Sequence, residues 1–454
     1  MAHHWSAAAD FSDPEATGKA VDYLERSGRQ ALDSCANADA EIVITEALRL
    51  LATLPITPER QTQEIRLQTE LGGTYLMSKG HAAAEVGQAF GRARVLCQQA
   101  NDAKNMLPVL LGLWRHHIVR GELPTSKDLA QQLLDQTEAA DDETYRVLAH
   151  YALGTTHLFL GEPGDAWNQY DRSIQLFDAM NGQARRLVSE RSLHLGQHPT
   201  VASLDYGSWA LWLLGYPDKS KACMDQALVL ADQLGHPFSQ SFARTLITWI
   251  SQMRHEVENT AAASIVSLGM AKEQGFMYFL ACSSLLGGWA KALQGDRTGI
   301  AQIQKVLDTL RAVGSELFRP YFLSQLAEAY GSFGQPEDGL EALDEALEVT
   351  ERSGEGWWEA EVYRLRGELS LQLPTPDEEE AEAMFLKALH RARWRNEKSS
   401  ELRAAVSIFK LWQSRDELHR NKSRQTLQKV YDWFQEGHET EDLKTAHALL
   451  SQSS

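Results

Sequence analysis

One pattern recurs along this chain: an apolar helical stripe, a glycine or proline break, and a second apolar helical stripe. It is clearest in LAEAYGSFGQPEDGLEALDEAL, from Leu326 to Leu347. Apolar residues recur there at helical spacing, Gly334 can end the first helix in a left-handed conformation, and Pro336 can start the second. Such a hairpin has an apolar face that only a neighbouring hairpin can cover, so the pattern constrains the whole chain.

The same pattern begins near Leu67, Leu153, Trp209 and Gly287. The second helix of each hairpin is predicted to begin near residues 41, 85, 128, 165, 219, 258, 299, 339 and 380. These starts are mostly about 40 residues apart, a spacing typical of helical repeat arrays. The sequence therefore predicts an all-α array of about ten helical pairs over residues 36–454, preceded by a helical segment over residues 1–35.

The quoted hairpin resembles the tetratricopeptide repeat in the residues Leu326, Ala327, Tyr330, Gly334, Gly339 and Ala346. In that family, stacked helical pairs form a right-handed superhelix. The resemblance therefore implies a right-handed superhelical solenoid of tetratricopeptide-like hairpins.

Four longer segments, His3–Ala31, His194–Ser220, Gly356–Leu373 and Glu401–Trp412, resemble the repeat region of large bacterial signalling proteins. In those proteins a class III adenylate/guanylate cyclase domain and a signal-transducing ATPase precede the repeats. Related repeats occur in large ATP-dependent transcription activators. The resemblance implies a sensing and regulatory arm, with a cyclase or ATPase domain as a candidate partner, and residues 1–35 look like its junction.

The sequence offers little for catalysis. It contains no GxxxxGK[ST] phosphate loop, and no pair of metal-binding aspartates set on strands, which a cyclase domain requires. We therefore expect no enzymatic activity and no cofactor.

Charge and composition narrow the environment of the chain. A formal net charge of -18 argues against sequence-independent nucleic-acid binding. The most apolar stretch, Phe276–Ala290, is too short to span a bilayer, and we expect a buried helix there. Cys35, Cys97, Cys223 and Cys282 form no CxxC pair, which favours free thiols in a reducing cytoplasm.

Histidines and charge runs have simple structural interpretations. His150 and His157 share a helix face, and His194 and His198 are four residues apart, but neither pair completes a zinc site, so packing or surface roles are favoured. The run Asp377–Glu380 suits a helix N-terminus. The basic stripe Arg391, Arg395 and Lys398, with Trp394, is interpreted as a solvated helix face, or failing that as a site for an acidic protein segment.

A superhelix exposes selected first-helix residues on its concave side. The repeat register predicts that these candidate binding residues are Tyr151, Thr155, Asp205, Trp209, Trp212, Tyr321, Ser324 and Glu328. Large aromatic residues are common binding anchors. Core packing is the alternative, because the chain has 12 tryptophans spread over its repeats.

The best-supported function is a non-catalytic regulatory scaffold that binds a protein or peptide. A small-molecule receptor is the first alternative, with an inducer bound in the concave groove and the irregular segment 188–205 shaping the pocket. The third is a fragment of a multidomain cyclase whose catalytic domains are missing from this sequence.

Overall fold

The computed structural model describes residues 13–34, 36–193 and 196–452, and this part of the chain contains 22 α-helices and no strand. The remaining residues, which include the start of the predicted 1–35 segment, Cys35 and His194, lie outside that description. In chain order the helices are α1 (Pro14–Asp33), α2 (Asn37–Leu51), α3 (Pro58–Ser78), α4 (Ala84–Ala100), α5 (Ala103–Val119), α6 (Leu123–Ala139), α7 (Glu143–Phe159), α8 (Pro163–Ala179), α9 (Gly182–Leu193), α10 (Pro199–Leu213), α11 (Pro217–Leu234), α12 (Pro237–Met253), α13 (Val257–Gln274), α14 (Met277–Leu293), α15 (Thr298–Ala312), α16 (Arg319–Ser332), α17 (Pro336–Ser353), α18 (Glu359–Ser370), α19 (Glu378–Arg395), α20 (Lys398–Trp412), α21 (Glu417–Tyr431) and α22 (Glu441–Gln452).

The chain is an all-α solenoid of tetratricopeptide-like hairpins, as predicted. The second helices begin at residues 37, 84, 123, 163, 217, 257, 298, 336 and 378, each within about five residues of its predicted start. A further hairpin, α20 with α21, follows the last predicted start. The division at residue 35 stays a prediction, although α1 packs against α2 as a hairpin.

The predicted turn chemistry is confirmed. Gly334 has φ +67°, the amide of Gln335 donates to the carbonyl of Tyr330 at 3.1 Å, and Pro336 begins the next helix. Gly161, with φ +78°, occupies the same place after α7. Glycine adopts this left-handed conformation without strain, so the break at these two repeats is fixed locally, whereas His255, with φ +60°, takes the equivalent place after α12.

The described residues divide into two compact units. The first comprises Met1–Ala152, Leu176–Gly196 and Val313–Ser315. In it, α1, α3 and α5 pack in succession, and an apolar cluster that includes Val21, Ile44 and Leu67 fills the space between the first hairpins.

The second unit comprises Leu153–Gln175, Gln197–Ala312 and Glu316–Ser454. Its inner helices are α10, α12, α14, α16, α18 and α20. Each packs against the next inner helix, and α10 also contacts α20, so this inner row closes on itself. Every residue of α10 is buried as a result. A helix without a solvated face belongs in the interior of a protein.

Two further expectations are met and one is corrected. The apolar stretch beginning at Phe276 forms the largely buried helix α14, and among the described residues no helix is both long and apolar enough to cross a lipid bilayer. Cys97, Cys223 and Cys282 are free, buried thiols. The segment 188–205, expected to be irregular, is helical at both ends: residues 188–193 belong to α9 and residues 199–205 to α10, whereas residues 194 and 195 lie outside the described part.

The close approach of α14 and α15 gives a test of the hairpin packing. A Cβ on Gly299 would collide with the carbonyl oxygen of Gly288 and lie 2.8 Å from the backbone nitrogen of Ala292. Gly299→Ala should therefore lower the free energy of unfolding by about 1–3 kcal/mol, measured by urea denaturation.

The matched control is Gly269→Ala in α13, where an added Cβ meets nothing within 4 Å. This control should raise the free energy of unfolding by about 0.5–1 kcal/mol, because alanine is the better helix former. Equal effects of the two substitutions would contradict the close packing of α14 on α15.

Candidate functional site

A stack of aromatic rings occupies the centre of the second unit. Trp209 stacks on Trp249 with ring centroids 5.0 Å apart and on Trp357 at 5.4 Å, and Trp249 stacks on Tyr321 at 4.9 Å. These four side chains, which we call the aromatic stack, are all less than 3% exposed. Each aromatic pair adds about 0.5–1.5 kcal/mol beyond the burial of its area. The stack thus joins α10, α12 and α16 to the residues before α18.

Phe318 connects the aromatic stack to the backbone. Its ring lies 4.6 Å from that of Trp249 and 4.9 Å from that of Phe159. Its backbone has φ +70°, a conformation that is strained for a bulky residue. Both carboxylate oxygens of Glu355 accept its amide hydrogen, at 3.1 and 3.2 Å, and one of them also accepts a bond from Trp357 Nε1 at 2.9 Å. Glu355 therefore holds both the strained turn and one ring of the stack.

Three acidic side chains are buried in this unit without a cationic partner at hydrogen-bond distance. Burial raises the pKa of Glu355 to about 8. Burial also raises the pKa of Asp205, which is 1% exposed and whose carboxyl has no hydrogen-bond partner among the described residues. Burial raises the pKa of Glu397 as well, and the nearby Arg395 offsets only part of that effect. Desolvation favours the neutral acid in all three.

A second group of polar side chains lies on three inner helices, α16, α18 and α20, and at the end of α12. We call it the charged cluster, and its members are His255, Glu328, Glu361, Arg364, Glu368 and Arg403.

The charged cluster is closely bonded. His255 Nε2 lies 2.8 Å from Glu328 Oε1, and Trp289 Nε1 donates to Glu328 Oε2 at 2.7 Å. Arg364 donates to Glu361 at 2.6 Å and to Glu368 at 2.5 Å. The cluster therefore links α14, α16, α18 and the end of α12 through side chains alone.

The charged state of this cluster follows from its pairing. Burial alone raises the pKa of Glu361, but Arg364 and Arg403 outweigh it and hold that pKa at about 2. The hydrogen bond that His255 donates to the Glu328 carboxylate raises the pKa of His255. The side chains of His255 and Glu368 are 42% and 40% exposed, whereas that of Glu361 is 7% exposed. The cluster is thus anchored in the interior by the ionised Glu361 and accessible at its edge.

The predicted groove residues lie on inner helices, but not in an open groove. In the second unit Thr155, Asp205, Trp209, Trp212, Tyr321 and Ser324 are all buried, and only Glu328 keeps a partly exposed side chain. Tyr151, in the first unit, is also buried, edge-on to Trp114 with ring centroids 5.4 Å apart. The expectation of exposed groove side chains is corrected for the second unit, because the closed inner row packs these faces together.

The structure brings several of the predicted residues together. Trp209 and Tyr321 are both members of the aromatic stack. Trp358 joins Trp212 and Ser324, since its ring stacks on Trp212 at 6.1 Å and its Nε1 donates to Ser324 Oγ at 3.0 Å. Thr155 accepts a hydrogen bond from Tyr170 at 3.2 Å. Which of these residues contacts a ligand stays a prediction.

Of the charged cluster only Glu328 was among the predicted groove residues, although α18 carried a signal for the others. Glu361, Arg364 and Glu368 recur at i, i+3 and i+7, which is one face of a helix. This face of the first helix of a repeat is expected to be apolar, because it packs against neighbouring repeats. Charged residues on it therefore indicate side chains that point inward.

Two histidine interpretations can now be refined. His198 is fully buried, and its Nδ1 accepts from the amide of Thr200 at the start of α10, so its role is structural as expected. His157 Nδ1 lies 2.5 Å from Glu162 Oε2, and Asp165 is close enough to complete a three-residue group that could hold a metal ion. The same histidine–glutamate pair occurs one repeat earlier at His117 and Glu122, so it is a feature of the turn.

The basic stripe is not simply a solvated face. Arg391 and Arg395 pair with Glu359 at 3.3 and 3.0 Å, and Lys398 pairs with Glu401 at 2.6 Å. Arg395 is only 10% exposed in its side chain. The interpretation from sequence is therefore wrong for Arg395, because its contacts lie far away along the chain.

Glu355 should make folding sensitive to pH. Its pKa is raised to about 8 in the folded protein, so between about pH 4.5 and 8 the unfolded chain releases a proton that the folded protein retains. The contribution of Glu355 to the free energy of unfolding is full below this range and is lost as pH rises through it. Urea denaturation of Glu355→Gln at several pH values should lack this fall. If the free energies of unfolding of wild type and variant differ by the same amount at every pH, the raised pKa of Glu355 is contradicted.

Arg364 should be essential to the charged cluster. Arg364→Leu leaves the buried carboxylate of Glu361 with Arg403 alone, at 3.6 Å, so the free energy of unfolding at neutral pH should fall by about 3–5 kcal/mol. The control is Lys221→Leu, which breaks an exposed pair with Asp225 and should cost less than about 1 kcal/mol. Similar losses in the two variants would show that the cluster contributes no more than a surface pair.

Comparisons with known proteins give a distant relationship. No protein-family model matches the chain. A curated relative, "Uncharacterized protein R02095" of Rhizobium meliloti (strain 1021), is 21% identical over 351 residues, which cover 77% of this chain and 33% of that protein. The chain thus spans about one third of the length of the curated relative it matches.

Several solved structures are loosely similar. A Rap protein complexed with competence and sporulation factor is 10% identical with a TM-score of 0.45, covering 92% of this chain and 99% of that chain. Yeast Tom70 is 11% identical with a TM-score of 0.38, covering 96% of each chain. A signal-transduction ATPase with a tetratricopeptide-repeat sensor from Pyrococcus horikoshii is 13% identical with a TM-score of 0.38, covering 97% of this chain and 72% of that chain. These similarities carry no argument about ligands.

Proposed function

We propose that this chain is a non-catalytic protein-interaction and regulatory scaffold that binds a peptide segment of a partner at the charged cluster. The observation that carries the proposal is the convergence of the inner helices on a few ionised side chains that are partly exposed. Arg364 and Glu361 are fixed in the interior, whereas His255 and Glu368 reach solvent. A repeat array whose helices converge in this way is suited to recognition.

The cluster offers charges of both signs within a small region. Glu328 and Glu368 can accept hydrogen bonds from basic side chains or backbone amides of a peptide, whereas the guanidinium of Arg364 already donates to Glu361 and Glu368. Trp289 is fully buried, and the hydrogen bond from its Nε1 holds Glu328 in place. Charges held in place by internal partners contribute mainly specificity, because a mismatched partner would bury an unpaired charge. Such a site suits a polar peptide better than an apolar one.

The regulatory part of the proposal rests on the resemblance of the repeats to those of cyclase–ATPase signalling proteins. On that basis we place the chain in the cytoplasm of a bacterium, with a nucleotide-cyclase or ATPase domain as the regulated component. Binding of the peptide would alter how the inner helices pack, since the cluster links four or more of them. The chain itself would perform no chemistry.

The proposal can be tested without a known partner. A phage-displayed library of random peptides is selected on the purified chain, and enriched peptides are synthesised and titrated by calorimetry. Glu328→Gln removes one charge while preserving the size of the side chain. It should weaken binding about tenfold or more, equivalent to about 1.4 kcal/mol.

Glu348→Gln, on the exposed face of α17, is the matched control and should leave the affinity unchanged. Circular dichroism confirms that both variants are folded. Failure to enrich any peptide, or equal affinities for all three proteins, would contradict peptide recognition at the cluster. A small molecule that raises the midpoint of thermal unfolding in that case would favour the receptor alternative.

A further inference from the structure

Three side-chain donors close the inner row of the second unit. They lie four residues apart, around the start of α20, and each donates to a carbonyl oxygen at the end of a different helix. The pairs are Arg395 with Leu160 at 2.5 Å, Ser399 with Trp212 at 2.5 Å and Arg403 with Met253 at 2.6 Å. We call these three donors the closing row.

The closing row satisfies a general need of helices. The last carbonyl groups of a helix have no partner within it, and this end carries a partial negative charge. The acceptors lie at the ends of α7, α10 and α12, so successive repeats each present one such end to the region around the start of α20. Two of the three donors are arginines, whose charge suits that end. The row therefore connects the first and last repeats of this unit.

A second contact lies beside the closing row, at the start of α11. Glu436 Oε1 accepts the amide hydrogens of Asp218 and Lys219 at 3.0 and 3.1 Å, and Asp218 Oδ2 accepts the amide hydrogen of Gly437 at 3.1 Å. The residue before the helix, Tyr216, supplies no side-chain cap of its own. We call this reciprocal arrangement the capping contact. The helix is thus capped by a residue more than 200 positions away.

The capping contact differs from the aromatic stack beneath it. Asp218 and Lys219 are exposed, so water can replace the bonds of the contact at a small net cost. The hairpins, in contrast, are held by buried apolar faces. Opening here would therefore leave the individual repeats intact.

We propose that the capping contact is an autoinhibitory device, which together with the closing row holds the second unit closed over the predicted groove residue Trp212. The guanidinium of Arg403, on α20, lies 5.0 Å from the ring centroid of Trp212. When the contact is broken, α20 separates from α10 and the Trp212 side chain becomes available to a partner. The identity of that partner as a peptide rests on the proposed function. The closure itself does not depend on it.

The test is hydrogen–deuterium exchange of the full chain without any ligand, read by mass spectrometry. In the double variant Asp218→Ala/Glu436→Ala, peptides covering residues 199–213 and 398–412 should exchange at least about tenfold faster than in wild type. Peptides from α14 and α15 should be unchanged. A tenfold rise corresponds to a tenfold larger open population, provided that opening is the limiting equilibrium.

The control is Lys221→Ala/Asp225→Ala, which removes an exposed ion pair from the same helix and should change none of these rates. Faster exchange confined to residues 217–220 would overturn the proposal, because it would show a local helix cap only. If circular dichroism shows that the double variant is unfolded, the milder variant Glu436→Gln replaces it. Exchange rates in Glu436→Gln equal to those of wild type would also overturn the proposal. A negative exchange result would not contradict peptide binding at the charged cluster. A negative peptide selection, in turn, would not contradict the closure measured by exchange.

Discussion

The contact between α10 and α20 determines the character of the second unit. A row of inner helices that remained open would expose one face of each helix. Because the first and last inner helices touch, those faces pack against one another instead. Every residue of α10 is consequently buried, and the rings of Trp209 and Trp357 stack across the closed row. The unit therefore has an interior like that of a globular domain, built from repeats.

Closure also decides which ionisable groups keep their charge. Glu361 remains ionised in the interior because Arg364 and Arg403 compensate for the lost solvation, and its pKa is held at about 2. Asp205 has no such partner, so burial raises its pKa. The difference follows from the neighbours of each carboxyl group, not from depth alone. Charge is thus retained where several helices meet and suppressed around the aromatic stack, which concentrates polar recognition at one place.

Local structure was largely predictable from the sequence, and long-range structure was not. The turn at Gly334 and the helix start at Pro336 depend on residues within a few positions, so spacing and turn chemistry were sufficient. The burial of Trp212 depends on α20, where Ser399 donates to its carbonyl oxygen from 187 positions later, and no periodic pattern records that contact. Arg395 was misjudged for the same reason, since its carbonyl acceptor at Leu160 is 235 positions away. The charged face of α18 was visible in the sequence. That this face points inward could be seen only once the inner row was known to close.

Closure of the second unit can be measured most directly by zero-length cross-linking of the purified chain with a carbodiimide, which joins a lysine to a carboxylate in contact. The structure predicts an intramolecular link between Lys219 and Glu436, because the carboxylate accepts the backbone amide hydrogen of Lys219 at 3.1 Å and so lies within reach of the flexible lysine side chain. The pair Lys221 and Asp225, 2.7 Å apart on one helix, reports that the chemistry works. Mixing isotope-labelled and unlabelled chains separates links within a molecule from links between molecules. A strong Lys219–Glu436 link within one chain supports the closed row, and its absence beside an efficient Lys221–Asp225 link would contradict it.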